Sequence, residues 1–184
     1  MLCCVRIIAF GSADRPHLPP AGREMSLSRV IRHGEVHDGL GVMSESSVQL
    51  GLVQPWVSIC SDAEAVGPRS ITDELTHPRA YGSFARVLGH YSRDLGLFPL
   101  AEAIRKMTSL PADTLRLADR DRLIPGAFAD VIVFDPATVA DRAGYEDPRR
   151  YATGMHHVLV NGQPVLADGR VLPARPGRRL RSGR

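Results

Sequence analysis

Trp56-Val57-Ser58-Ile59-Cys60-Ser61-Asp62 is an apolar, β-type run that ends on a carboxylate. A polar loop with glycine and proline follows, from Ala63 to His77-Pro78-Arg79. An acid at the C-terminal end of a buried strand is where a β/α barrel places catalytic residues. Trp56–Cys60 is therefore expected to be a strand, residues 61–80 a long loop, and Asp62 the first candidate for chemistry. By strand position alone Asp62 could equally cap the next segment or begin a turn, as Asp often does after a strand.

Outward from this run the local signals are sharp. Ser44 can cap a short helix through Leu50, bounded by Gly51 and Pro55. In Ser83–Leu95 the apolar residues Phe84, Val87, Leu88, Tyr91 and Leu95 share one helical face, and Gly96 suits the C-terminal cap. Pro99 fits a first helical turn, with Ala101, Ile104 and Met107 recurring through Leu100–Thr108. Pro111 opens a third helix ending near Leu117. Helix after strand after helix is the grammar of an α/β fold.

The pattern changes at Asp119. Ile124-Pro125-Gly126 reads as a turn and Ala129–Phe134 as a strand. His157–Val160, Asn161-Gly162 and Pro164–Leu166 then read as a β-hairpin, since Asn-Gly is the strongest two-residue hairpin signal. Asp168-Gly169 makes a second turn before Val171. Residues 119–175 are thus part of a small β layer whose edges stay open unless another segment completes it. Residues 1–42, with Pro16, Pro19 and Pro20 and no sustained period, are expected to be irregular or disordered, and residues 176–184 an Arg-rich tail.

The chain has 184 residues, 43% hydrophobic and 23% charged, with a net charge of +3, which is ordinary for a soluble globular protein. Arg170, Arg175, Arg178, Arg179, Arg181 and Arg184 all follow the last acid, Asp168. The body is slightly acidic without them, and no aromatic residues interleave the arginines to stack on bases, so no nucleic-acid partner is expected. Lys106 is the only lysine. The three cysteines, Cys3, Cys4 and Cys60, follow no metal-binding spacing and suggest a reducing cytoplasm. Met1–Phe10 makes a poor signal peptide because Arg6 interrupts it, and no run approaches the length of a membrane span.

Several blocks together resemble the C-terminal third of the amidohydrolase superfamily, and more narrowly its N-acyl-D-amino-acid deacylase (D-aminoacylase) branch. They are Met43-Ser44-Glu45, Gln54–Asp62, His77-Pro78-Arg79-Ala80-Tyr81-Gly82-Ser83-Phe84, Pro99–Ala112, Gly126–Pro136 and Val158–Gly162. The Gly-x-x-Ala-Asp turn and strand are common across the superfamily. The His-Pro-Arg-x-Tyr-Gly-x-Phe block beside the Ser-Asp run is much narrower. The resemblance covers residues 43–180. It implies an α/β fold: a C-terminal fragment of a (β/α)8 barrel plus part of a small β-sandwich. Residues 43–118 would hold the last barrel strand and its helices, and residues 119–175 part of the sandwich.

The resemblance also implies a chemistry. In the family a zinc ion activates water against an acyl carbonyl, and a carboxylate at the last barrel strand passes the proton to the leaving amine. Asp62 matches that carboxylate. Arg79 matches a substrate-binding arginine, suited to grip the free α-carboxylate of an N-acyl amino acid. His77 is the second substrate-binding candidate and would orient the loop. A structural salt bridge is the bland alternative for Arg79.

No metal ligand is assigned. His33 and His37 bracket a Glu at the wrong offset for a zinc helix, and His156 and His157 point to opposite faces of a strand. Cys60 is read as packed core. The zinc ligands of the family would lie upstream, so this chain alone is expected to be inactive. The missing barrel half would have to come from another chain. A non-catalytic interaction module derived from such an enzyme is the alternative.

Overall fold

The computed structural model describes residues 43–63, 76–120 and 122–180. The expected irregular segment 1–42 and most of the loop after Asp62 lie outside the described residues. Helix α1 spans Glu45–Leu52, and the Ser44 hydroxyl accepts the Ser47 N–H at 3.2 Å, so the capping serine sits where the sequence placed it. Helix α2 spans Arg79–Arg86, four residues earlier than the apolar stripe suggested, and runs straight into a π-helical stretch, Val87–Asp94. Its end shows the wider pitch directly, with the Leu95 N–H on the His90 carbonyl at 2.9 Å. Gly96 then takes the left-handed conformation at φ 61° that ends many helices. Helix α3 is Leu100–Met107 and α4 is Ser109–Leu115, so Pro111 lies inside the first turn rather than opening it.

Trp56–Cys60 is a correction. Residues 57–60 form no strand and join no ladder, and Pro55-Trp56 is a turn. A strand is defined by its neighbours, and among the described residues none lies alongside. What holds the segment instead is Lys106. Its backbone carbonyl accepts the Ile59 N–H at 3.0 Å. Its side chain, 1% exposed, donates from the ammonium group to the carbonyls of Gln54 and Val57, the latter at 3.2 Å, and that group stands 3.8 Å from the Glu102 carboxylate. Arg105 adds a bond to the Pro55 carbonyl at 2.6 Å. Ile59 is thereby seated in a core with Ala85, Val87, Leu88, Tyr91, Phe98, Ala103 and Val139.

The β layer is one antiparallel sheet in the order β1-β2-β3-β4: Val131–Phe134, Met155–Val160, Gln163–Ala167 and Arg170–Val171. Val131 faces Leu159 and Val133 faces His157, with a bulge before Phe134. Asn161 and Gly162 at φ 50° and 79°, and Asp168 and Gly169 at 49° and 72°, form both hairpin turns with the positive angles such two-residue loops require. One polar node fastens the sheet to the turn before it. Asp130 accepts from the Asn161 N–H at 2.7 Å and from Arg120, whose other nitrogen donates to Asn161 Oδ1 at 2.6 Å. The Arg120 guanidinium lies 4.3 Å from the Phe128 ring centroid. The start of the Arg-rich tail joins this node, because Asn161 also donates to the Pro176 carbonyl at 2.6 Å and Arg178 approaches Phe128 at 6.0 Å. Residues 181–184 lie outside the described residues.

The π-helical stretch meets the chain between β1 and β2 at backbone level. A Cβ on Gly89 would stand 2.5 Å from the Val139 carbonyl oxygen, and one on Gly154 2.6 Å from Val139 N and Cα. Arg93 donates to that same Val139 carbonyl at 2.6 Å.

Two consequences are measurable by denaturant unfolding. Replacing Lys106 with Met keeps the stem but leaves the Val57 carbonyl without its donor and the Gln54 carbonyl with only the Val57 N–H, and is expected to cost about 2 kcal/mol. Gly154→Ala is expected to cost about 2 kcal/mol or more, because φ is +77° and the added methyl group meets backbone.

Candidate functional site

Asp62 follows the segment that Lys106 holds. Its own backbone is left-handed at φ 48°, a conformation Asp tolerates better than most side chains. Its N–H points back to the Cys60 sulfur at 3.2 Å, so Cys60, only partly buried, caps the turn and is not simply core. This turn sends the carboxylate outward, 71% exposed, and Asp62 Oδ2 meets a guanidinium nitrogen of Arg79 at 3.3 Å. Two residues singled out in the sequence 17 positions apart are thus brought into an ion pair.

Arg79 is placed by the way α2 begins. Pro78 occupies the capping position and offers neither a side-chain acceptor nor an N–H. The first free donor of the helix, the Arg79 N–H, is instead taken by His77 Nδ1 at 3.0 Å. The Ala80 N–H bonds the His77 carbonyl at 3.0 Å, and the Gly82 N–H the Pro78 carbonyl at 2.9 Å. The other nitrogen of His77, Nε2, lies 3.3 Å from the Tyr145 hydroxyl, and the two rings meet edge to face with centroids 5.3 Å apart. Both nitrogens of His77 are therefore engaged inside the protein.

Sequence patterns did not single out Tyr145. It comes from the segment between β1 and β2, 68 residues from His77, and no period or motif links the two positions. Lys106 did carry a signal. It is the only lysine in the chain and shares the buried side of α3 with Ala103.

No group of three or more His, Cys, Asp or Glu side chains among the described residues is arranged to hold a metal ion. His156 and His157 sit on β2, and the nearest carboxylate to His157 is Asp168 at 3.8 Å. The donor set on hand does not fit a zinc site, which needs three or four converging ligands. No helix of the described residues is long and apolar enough to cross a membrane.

Comparison with known proteins places the chain in a family. The amidohydrolase family pattern matches residues 67–166. A D-aminoacylase of Alcaligenes xylosoxydans xylosoxydans is 58% identical over 96 residues, which is 52% of this chain and 20% of that protein. A D-aminoacylase crystal structure, from work on the functional role of its binuclear metal center, superposes with a TM-score of 0.66 at 48% identity, over 72% of this chain and 27% of that one. An N-acyl-D-glutamate deacylase from Bordetella bronchiseptica, complexed with zinc and a phosphonate inhibitor, superposes at 0.60 with 42% identity, over 70% and 27%. The chain belongs to the amidohydrolase family. Within it, the matches fall in the D-aminoacylase branch, and the chain spans about a fifth of the length of the relative it matches by sequence.

Burial first, and the neighbouring Arg79 guanidinium second, hold the pKa of His77 below its ordinary 6.5. A base with a depressed folded-state pKa binds fewer protons folded than unfolded between the two values. Its contribution to stability is therefore present above 6.5 and is lost as pH falls from 6.5 through the lowered folded value. An NMR pH titration is expected to place the His77 midpoint below 6.5. Arg79→Gln should raise it only part of the way back, since burial is the larger cause.

Proposed function

We propose that this chain is the C-terminal part of a zinc-dependent amidohydrolase that converts N-acyl-D-amino acids and water to a carboxylate and a D-amino acid. Residues 43–118 would supply the end of a (β/α)8 barrel, with Trp56–Cys60 becoming its last strand once a neighbouring strand pairs with it. Residues 119–175 would supply part of a β-sandwich. The observation that carries this proposal is the 3.3 Å pairing of Asp62 with Arg79, in a chain similar to proteins with that activity.

In this proposal Arg79 binds the α-carboxylate of the substrate. Bidentate guanidinium–carboxylate pairing suits that task, and an exposed Asp62–Arg79 pair is weak enough to be exchanged for it. Asp62, released, takes a proton from the attacking water as the new C–O bond forms. It returns that proton to the nitrogen as the C–N bond breaks, so the amine leaves neutral. His77 serves substrate binding through Arg79. Zinc would require ligands other than the described residues, which is why the chain alone is proposed to be inactive.

Trp56, in the segment proposed as the last barrel strand, is 64% exposed, and Leu123, in the turn before the β layer, is 85% exposed. Open apolar side chains of this kind are compatible with a partner polypeptide carrying the rest of the barrel. The same surfaces would also serve a non-catalytic interaction module, which is the competing proposal. The setting proposed for either is the cytoplasm.

The test is to recover the tagged chain with whatever it binds from its source cells and to assay release of D-amino acids from N-acetyl-D-amino acids. Asp62→Asn is expected to lower kcat by about 10²–10⁴-fold, the usual weight of a general acid–base residue. Arg79→Ala is expected mainly to raise KM. Absence of any hydrolysis by the recovered assembly would favour the non-catalytic module.

A further inference from the structure

The hydrogen bonds around His77 leave only one arrangement of its protons. The Arg79 N–H is a donor, so Nδ1 at 3.0 Å must present its lone pair. A neutral imidazole then carries its proton on Nε2, and that N–H points at the Tyr145 oxygen at 3.3 Å. The reverse polarity, with tyrosine donating, would leave the ring with no proton at all. Protonating the ring would set an Nδ1–H against the Arg79 N–H, beside a guanidinium and at the positive end of a helix.

We propose that Tyr145 and His77 act as a positioning pair for Arg79. Tyr145 Oη accepts from His77 Nε2–H, His77 Nδ1 caps the Arg79 N–H, and the guanidinium is thereby held opposite Asp62. Three features favour this over a packing contact. Pro78 removes the ordinary cap, so the start of α2 has no other side-chain acceptor at that position. The edge-to-face ring contact fixes the imidazole plane as well as its position. Tyr145 is itself half exposed, so its place at His77 is not simply a demand of the core. Tyr145 keeps its own O–H free to donate, because its oxygen is the acceptor in the pair.

The functional consequence rests on the proposed role of Arg79, whereas the arrangement itself can be tested without any substrate. Long-range nitrogen–proton NMR on the chain at neutral pH is expected to show His77 protonated on Nε2. An Nδ1-protonated ring would overturn the proposal. Amide exchange at Arg79 provides the second measurement. His77→Ala is expected to speed it about tenfold, the weight of one hydrogen bond. His77→Asn, whose side-chain oxygen can cap the same N–H, should restore most of the protection. Unchanged exchange in His77→Ala would sink the cap.

In the recovered assembly, Tyr145→Phe keeps the ring contact and removes the acceptor. Its rise in KM should exceed its fall in kcat, and a fall in kcat at unchanged KM would contradict action through Arg79. If Arg79→Ala itself leaves KM unaltered, the carboxylate-binding role is what has failed. The tautomer and the exchange rates then decide the pair on their own.

Discussion

The Lys106 side chain is buried, and its position governs how the Asp62 segment is presented. A buried cation survives only when its donors are used and a countercharge is near. Here the Gln54 and Val57 carbonyls and the Glu102 carboxylate meet that demand. The Val57 carbonyl gains as much, because it sits just after a turn, in a segment with no ladder to supply a donor. One side chain on α3 thus does for residues 54–59 what a neighbouring strand would do in a sheet. Burial holds the Lys106 pKa below its ordinary value, and the close carboxylate opposes that shift.

From that anchor the site is assembled by short-range chemistry on two sides of the described chain. Cys60 turns the backbone at Asp62, and His77 starts α2 where proline cannot. The Asp62–Arg79 pair is the product of these two local devices rather than of deep burial. A site formed this way is open to solvent and to exchange of partners, as the role proposed for Arg79 requires. The Asp130–Arg120–Asn161 node is the opposite case: Arg120 is 7% exposed, and its partners fasten a hairpin and the start of the tail. The Gly-x-x-Ala-Asp and Asn-Gly blocks that carried the family resemblance are therefore scaffold here, not chemistry.

What could be read from the amino-acid order follows from the range of each interaction. Ser44, Gly96, Asn161-Gly162 and Asp168-Gly169 act within three or four residues, and each sits in the structure as its local chemistry requires. Trp56–Cys60 has the composition of a strand, but strand formation needs a partner that composition does not contain. The π-helical stretch was hidden because Phe84, Val87, Leu88 and Tyr91 share a face under either pitch. Asp62 was found from its place at the end of an apolar run and then through the family motif, Arg79 and His77 through the motif alone, and the structure brings Asp62 to Arg79 and His77 to the Arg79 N–H. Tyr145 was missed because a contact across 68 residues leaves no periodic trace.

Val139 is wedged between Gly89 and Gly154 so tightly that neither glycine has room for a methyl group. Backbone touching backbone cannot be loosened by rotating a side chain. The π-helical stretch and the chain that joins β1 to β2 therefore cannot shift past each other at Val139 without parting main chain from main chain.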